Sequence, residues 1–462
     1  MIRTFIKIAI LVFISFQGAA KSQPNILFIA VDDLRPSIGA YGDELAITPN
    51  INKLAAQGTL FKQAFASVPT CGASRASLFT GIRPTAQRFL TFNSQVQVET
   101  PNATTIPKYL KQNGYYAVSL GKVFHKKSDS AEHWSEEPWT PKNVGNYHDP
   151  KNIEITQTHK GGRAYPYENY DYDDLEHKDG IIASKAIASL QTLSNKTQPF
   201  FLAVGFARPH LPFNAPKKYW DLYPEEKISL PSNYFRSLYA PDQAFHNSGE
   251  LRGYYGVPKK GDVSDEMALS LKRGYYASVS FVDAQIGRVL SEIESLGLDK
   301  NTIVILWGDH GWQLGEHKLW NKHSNFKTST HAPLIFSVPG KQANQQTDAL
   351  TEFVDIFPTL CDLLGIPKPE QLQGESVAKL LDDPEEHKNT VAFIQWQGGT
   401  TMFTERYAYT EWFDKNGVFE TNMLFDHKND GDENVNLAQN PEHKTLISQL
   451  SEALNKKRLS IK

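Results

Sequence analysis

The chain has few cysteines, no excess of either charge and no long apolar segment after its first twenty residues. Only two of its 462 residues are cysteine, which excludes a framework of several disulfides. Cys71 and Cys361 lie in unlike segments, which argues weakly against a bond between them. The 48 basic and 51 acidic residues nearly cancel and form no basic stripe, so a nucleic-acid partner is not expected. No series of apolar segments long enough for a polytopic membrane protein is present.

What the chain does have is material for a large folded core. Hydrophobic residues make up 40% of it and aromatic residues 11%, which excludes a disordered chain. Its length corresponds to one large domain or two unequal domains.

The first twenty residues predict a secretory signal peptide. The apolar run from Ile8 to Phe16 follows Arg3 and Lys7, and small residues ending at Ala20 come next. A charged start, a short apolar segment and a small-residue end are typical of such a signal. We expect export to the periplasm or secretion, without stable membrane insertion. An uncleaved membrane anchor is the alternative.

Apolar runs alternate with helical patterns over residues 24–385. The candidate strands are 26–31, 115–120, 200–206, 302–306 and 334–338. The candidate helices are 48–58, 181–193 and 264–296. This alternation predicts an α/β fold in which helices flank a doubly wound, mostly parallel sheet, and we expect residues 24–385 to form one catalytic domain.

Three segments depart from this alternation. Gly274 and Gly287 lie inside the pattern at 264–296 and weaken the expectation that this long helix is unbroken. Residues 142–174 are rich in Tyr, Asn, Asp and Gly and predict a long loop over the site. Residues 386–462 predict a small α+β subdomain, with antiparallel strands at 406–413 and 423–426 and a terminal helix at 443–457.

Polar side chains follow four of the predicted strands. They are Asp32 and Asp33, Lys122 and His125, Arg208 and His210, and Asp309 and His310. In doubly wound sheets, ligands bind at the carboxyl ends of the strands. Adjacent carboxylates repel each other unless a cation neutralises them, so Asp32, Asp33 and Asp309 predict a site for a hard divalent ion. The alternative is that Asp32 caps a turn and Asp309 only begins a loop.

Five motifs in register resemble those of the type I, formylglycine-dependent sulfatases of the alkaline-phosphatase-like superfamily. They are residues 24–28 with Asp32 and Asp33, residues 48–51, residues 71–75 followed by 78–81, residues 121–125, and residues 309–311. The spacing of Lys122 and His125, and the position of His310 after Asp309, resemble the subgroup similar to iduronate 2-sulfatase. Segments 35–42, 208–213 and 320–326 resemble the same subgroup.

The resemblance implies a particular chemistry at Cys71. A maturation enzyme would convert this cysteine to formylglycine, whose hydrated aldehyde attacks sulfur and displaces a sugar alcohol. An unmodified thiol is the alternative. Position 73 is Ala where Pro is commonest, which bears on which maturation enzyme acts. The implied ligands of one Ca²⁺ are Asp32, Asp33, Asp309, His310 and the side chain of residue 71.

The resemblance also implies roles for five other residues. Arg75 would hold the hydrated aldehyde or the neighbouring carboxylates. Lys122 and Lys322 would bind the sulfate. His125 would hydrogen-bond the hydrated aldehyde and act as a base, and His210 would protonate the leaving oxygen or bind the sulfate.

The substrate implied by the resemblance is a sulfated oligosaccharide or polysaccharide. Sulfate at position 2 of a uronic acid is the leading hypothesis, and Trp312 is expected either to form a platform for a sugar ring or to pack. Two alternatives remain: a phosphonate or phosphate ester hydrolase of the same superfamily, and a non-catalytic receptor for sulfated glycans.

Overall fold

The computed structural model describes residues 23–386 and 391–461, so the predicted signal peptide lies outside the described residues. The strands in chain order are β1 (Asn25–Val31), β2 (Thr59–Phe61), β3 (Ala64–Phe65), β4 (Tyr116–Gly121), β5 (Tyr167–Tyr170), β6 (Phe200–Phe206), β7 (Phe213–Pro216), β8 (Thr302–Gly308), β9 (Gln313–Leu314), β10 (Trp320–Asn321), β11 (Leu334–Ser337), β12 (Gln345–Thr347), β13 (Thr351–Glu352), β14 (Val391–Trp396), β15 (Gly399–Thr404), β16 (Tyr407–Phe413) and β17 (Phe419–Asp426).

The α-helices in the described residues are α1 (Pro49–Ala56), α2 (Cys71–Thr80), α3 (Val96–Glu99), α4 (Ile106–Gln112), α5 (Pro150–Thr158), α6 (Lys178–Leu193), α7 (Lys217–Trp220), α8 (Asp265–Ser295), α9 (Lys327–Thr330), α10 (Ile356–Leu364) and α11 (Lys444–Ser460). None of these helices is long and apolar enough to cross a membrane.

A seven-stranded sheet in the order β12-β2-β11-β8-β1-β6-β4 forms the centre of the fold. The four strands from β8 to β4 are parallel to one another. Strand β11 is antiparallel to both of its neighbours, and β12 is parallel to β2. The sheet therefore confirms the predicted doubly wound, mostly parallel α/β fold. The direction of β11 was not predicted, because an apolar run alone does not reveal strand direction.

Helices cover both faces of this sheet, and β1 shows how the sequence specifies this. Leu27 and Ile29 pack in the core cluster that contains α1, α6 and α8. Ile26 and Phe28 point the other way and pack with α2, α4 and α10. Because successive side chains of a strand face opposite sides, a strand buried on both faces needs a continuous apolar run, as β1 has.

The long helix predicted at 264–296 is confirmed as α8, which is unbroken despite the two glycines within it. Ser264 caps the helix by accepting a backbone N–H of its first turn. A Cβ atom at Gly274 would lie 2.8 Å from the Trp220 ring, and one at Gly287 would lie 2.3 Å from the Asn50 side chain. Both glycines therefore allow close packing of a continuous helix.

The segment 142–174 is not the long loop that its composition predicted. It contains α5 and β5, and β5 pairs in parallel with β7. The buried Glu168 accepts backbone N–H groups of His148 and Asp149. Asp149 in turn caps α5, which has Pro150 at its first position. Local capping and one buried carboxylate thus order a segment whose composition is typical of loops.

The four C-terminal strands form a consecutive antiparallel sheet in the order β14-β15-β16-β17, and α11 packs on one of its faces. The other face contributes to a core cluster with Phe65, Leu319 and Phe326 of the preceding part of the chain. The sequence analysis predicted β16, part of β17 and the terminal helix, but not β14 and β15. The division of the chain at residue 385 stays a prediction. Cys71 and Cys361 are both free and buried.

Candidate active site

The polar residues that follow β1, β4, β6 and β8 meet at one edge of the central sheet. Helix α2 begins there at Cys71, with Thr70 at the capping position, and all of its residues are buried. A Cβ at Gly72 would lie 2.1 Å from the carbonyl oxygen of Phe92, so the close approach of that segment requires glycine at this position. The fold thereby brings the start of α2 to the carboxyl ends of the parallel strands.

Cys71 lies in the middle of this cluster and is 1% exposed. Its Sγ is 3.3 Å from Nε2 of His310 and 3.9 Å from Oδ1 of Asp33. Burial raises the pKa of the Cys71 thiol well above its ordinary value, and neighbouring aspartates add to this effect. An unmodified thiol here is therefore protonated and a weak nucleophile.

Arg75 lies one helical turn after Cys71 and is fully buried. Its Nη2 donates to Asp32 at 2.9 Å, and its Nε donates to Asp309 at 3.0 Å. Its Nη1 donates to the carbonyl oxygens of Lys122 and Val123. The guanidinium group thus joins the ends of β1, β4 and β8. The structure places it on the carboxylates, one of its two expected roles.

The two lysines expected to bind sulfate, Lys122 and Lys322, form ion pairs with the aspartates that follow β1. Lys122 forms an ion pair with Asp32. Nζ of the buried Lys322 is 3.0 and 3.1 Å from the two carboxylate oxygens of Asp33. Burial alone would raise the pKa of Asp32, but Lys122, followed by other cations, holds it well below its usual range. Both aspartates are therefore held among positive charges in a buried site.

Glu250 is a site residue that the sequence analysis missed. Its Oε1 is 3.0 Å from Nε2 of His210, and its Oε2 is 2.9 Å from Nζ of Lys322. Cationic partners hold the pKa of the Glu250 carboxyl well below its usual range, although burial opposes this shift. Glu250 precedes a short turn outside the strands of the central sheet, so no strand pattern marks it.

His210 has an acceptor at each ring nitrogen. Nδ1 is 2.7 Å from the carbonyl oxygen of Leu211, and Nε2 faces Glu250. Burial would lower the pKa of His210, but the carboxylates of Asp33 and Glu250 raise it above its ordinary value. Both acceptors are satisfied when the ring is an imidazolium, which can donate a proton.

His125 and Trp312 complete the set of predicted residues. Burial, followed by the charge of Lys122, lowers the pKa of His125 to about 4, and its buried Nδ1 has no hydrogen-bond partner in the described residues. A neutral ring with a free nitrogen fits a base. Trp312 is 1% exposed and packs against Phe213, with Nζ of Lys322 4.7 Å from its ring centroid. Of the two expectations for Trp312, its burial favours packing over a platform for a sugar ring.

The donor atoms of the site fit a divalent ion. Two overlapping groups lie within 4.8 Å, namely Asp32, Asp33, Cys71 and His210, and Cys71, Asp309 and His310. Nδ1 of His310 is 2.9 Å from the carbonyl oxygen of Gly311, which assigns the proton to Nδ1 and leaves a lone pair on Nε2. That Nε2 is 3.4 Å from Oδ1 of Asp33 and 3.7 Å from Oδ1 of Asp309. A cation is favoured where a lone pair meets two carboxylates.

Comparisons with known proteins identify sulfatases as relatives of this chain. The family model described as sulfatase matches residues 24–366, and the one described as N-sulphoglucosamine sulphohydrolase, C-terminal, matches residues 315–460. Iduronate 2-sulfatase of Mus musculus is 36% identical over 396 residues, which cover 76% of this chain and 70% of that protein. A sulfatase of Formosa agariphila is 31% identical over 460 residues, or 94% of this chain and 87% of that protein.

A solved structure shares the fold at lower identity. The phosphonate monoester hydrolase of Agrobacterium radiobacter is 23% identical, with a TM-score of 0.77 over 95% of this chain and 96% of that chain. At this identity the likeness concerns the fold alone. The family match over most of the chain and the identity to sulfatases show that this chain belongs to the sulfatase family, as a sulfuric ester hydrolase similar to iduronate 2-sulfatases.

Proposed function

We propose that the protein removes sulfate from sulfated carbohydrates, using a formylglycine made from Cys71 and a divalent ion, expected to be Ca²⁺. The observation that carries this proposal is the arrangement of Cys71 at the start of α2 among three aspartates and His310. Formylglycine would supply a hydrated aldehyde, with one hydroxyl to attack sulfur and the other to release sulfate as the aldehyde re-forms. The ion would orient sulfate oxygens and lower the pKa of a hydroxyl.

The charges of the site suit an anionic ester. The fixed charges are the carboxylates of Asp32, Asp33, Asp309 and Glu250 and the cations of Arg75, Lys122 and Lys322. With His210 as an imidazolium, these charges cancel. A bound divalent ion therefore leaves an excess of positive charge, which attracts an anion.

The remaining roles, which are sulfate binding, proton transfer and positioning, are assigned to side chains of the site. Lys122 and Lys322 would hold sulfate oxygens, and the proximity of their ammonium groups to Asp32 and Asp33 supports this role. His210, with 24% of its side chain exposed, is reachable from solvent and would donate a proton from Nε2 to the leaving sugar oxygen. His125, neutral at Nδ1, would accept a proton. Arg75 keeps Asp32 and Asp309 in position.

The substrate and the location of the protein are further parts of the proposal. Similarity to iduronate 2-sulfatase supports the proposal that the ester bond of a sulfate at position 2 of a uronic acid is cleaved. The N-terminal segment supports export, so that the protein would act on glycans in the periplasm or outside the cell. A formylglycine-generating maturation enzyme would be its partner during export.

The test has two measurements. Peptide mass spectrometry of protein produced with a maturation enzyme should show the Cys71 thiol replaced by an aldehyde. The same preparation should release sulfate from 2-O-sulfated glycosaminoglycan oligosaccharides. Active protein with an unmodified Cys71 would contradict the formylglycine mechanism. Faster turnover of a phosphonate monoester than of any sulfate ester would favour the phosphonate hydrolase, and binding without any turnover would favour a receptor.

A further inference from the structure

A cleft of about 1270 Å³ extends from the active site along the C-terminal sheet. Its inner end includes Glu250 and His323. Glu250 forms ion pairs with His210 and Lys322, and His323 follows Lys322 in the chain. Its outer end includes Lys415, in the turn between β16 and β17, and Arg458 of α11. The volume exceeds the roughly 300–1,000 Å³ typical of sites for single drug-sized ligands.

We propose that this cleft binds the acidic oligosaccharide chain that continues from the sulfated sugar, with Phe92 as the stacking platform and with Lys415 and Arg458 as the anion-binding group. This inference rests on the proposed function, since it assumes that the reacting sugar lies beside Lys322 and His210. It adds a second binding region, which makes a chain of several sugars a better substrate than a single one.

Phe92 has the properties expected of a sugar platform. It is 52% exposed although it is a large apolar side chain, and it lines the cleft. Its ring meets the ring of His125 edge to face, with 5.8 Å between the centroids. The platform is therefore adjacent to a residue of the reaction centre, and half of its surface remains free for the apolar face of a sugar.

The opposite wall is held in place by an aromatic stack. The ring of His323 lies on the ring of Trp396 at 5.1 Å and 10°. Nε2 of His323 is also 3.3 Å from Oγ1 of Thr70, the residue that precedes Cys71 and helix α2. Trp396 of strand β14 thus contacts the start of α2 through His323, so this wall of the cleft is connected to the helix that begins at Cys71.

The outer end of the cleft carries positive charge. Lys415 is exposed, and it forms no ion pair with a carboxylate in the described residues. The guanidinium carbon of Arg458 lies 3.9 Å from the Phe413 ring centroid, which orients the group at the rim. The carboxylate of Asp414 accepts backbone N–H groups of its own turn. Lys415 and Arg458 therefore complement the sulfate or carboxylate of a neighbouring sugar.

The experiment compares two substrates on the matured enzyme. One is a heparin-derived tetrasaccharide that carries 2-O-sulfated uronic acid, and the other is 4-nitrophenyl sulfate. We expect the double variant Lys415→Ala/Arg458→Ala to lose about five- to tenfold in kcat/KM on the tetrasaccharide, mainly through KM, with less loss at 0.5 M NaCl because salt screens exposed charges. Turnover of 4-nitrophenyl sulfate should not change.

The variant Phe92→Ala tests the stacking platform independently of the anion-binding group. We expect a three- to tenfold rise in KM for the tetrasaccharide, the range that an aromatic contact supplies. The matched controls are Lys300→Ala and Phe235→Ala, which change exposed residues outside the cleft and should leave both substrates unaffected.

The outcomes separate this inference from the proposed function. If the enzyme hydrolyses neither ester, the proposed function fails. If it hydrolyses 4-nitrophenyl sulfate but not the tetrasaccharide, or if the cleft variants change both substrates equally, the inference fails and the sulfatase assignment stands. If the cleft variants affect neither substrate, the inference also fails.

Discussion

His210 gives the sharpest test of the proposed chemistry, because a general acid matters only when the leaving group is poor. Its Nε2 lies 3.0 Å from Oε1 of Glu250, its Nδ1 is 2.7 Å from a carbonyl oxygen, and part of the side chain reaches the surface. We expect His210→Ala to lower kcat/KM on a sulfated sugar by roughly 10²–10⁴-fold, the contribution typical of general acids. This range corresponds to about 2.7–5.5 kcal/mol of transition-state stabilisation.

The same substitution should affect an activated ester far less. The phenolate of 4-nitrophenyl sulfate leaves without a proton, so we expect a loss of about tenfold or less, from the missing positive charge alone. The assay measures kcat/KM for both esters with wild type and variant in parallel. Equal losses on the two esters would refute the general-acid role and leave His210 as a sulfate-binding residue.

Two comparison variants sharpen the result. Lys322→Ala should reduce turnover of both esters, since in the proposed mechanism its ammonium group would bind the sulfate in either case, and the variant also removes the contacts with Asp33 and Glu250. His443→Ala changes a histidine at the start of the terminal helix and serves as the matched control, with no change expected on either ester. A His210-like pattern in the Lys322 variant would show that the two roles are exchanged.

Three further predictions concern the metal site and the packing of the fold. Asp309→Asn should abolish turnover and reduce the bound divalent metal measured by elemental analysis, and full turnover after exhaustive chelation would refute the metal role. Arg75→Lys keeps the charge but cannot reach both Asp32 and Asp309, so the free energy of unfolding measured in urea should fall by about 1.5–3 kcal/mol for each hydrogen bond lost. In the activity assay, the control variant Arg288→Lys should retain full activity. Gly287→Ala places a Cβ 2.3 Å from Asn50 and should cost about 1–3 kcal/mol in the urea assay; Gly431→Ala, with its nearest atom 3.7 Å away, should cost little.

The fold and the site differ in how far local pattern could predict them. The buried strands of the parallel core were predictable because a strand covered on both faces must be apolar throughout, and β1 and β6 are. The capped start of α8 at Ser264 was predictable for a similar local reason. The reason for the two glycines of α8 was not predictable, because it is packing: Gly274 meets Trp220, and Gly287 meets Asn50, across large sequence separations.

The C-terminal part shows the same limit. Strands β14 and β15 were missed, although Trp396 of β14 connects the cleft to the start of α2 through His323. Their pairing depends on contacts with each other and with the main body of the chain, which a pattern of short apolar runs does not report.

The sequence by itself determined which chemical groups are available and where they enter the fold. Carboxylates follow β1 and β8, lysine and histidine follow other parallel strands, and Cys71 begins a helix, so these groups must meet at one edge of the sheet. Only the tertiary structure decided which groups pair. Glu250 joins His210 to Lys322 from a segment without strand or helix periodicity, and Trp312 is covered rather than exposed. The pairing of Glu250 and the burial of Trp312 both depend on contacts between segments far apart in the chain, which local sequence does not predict.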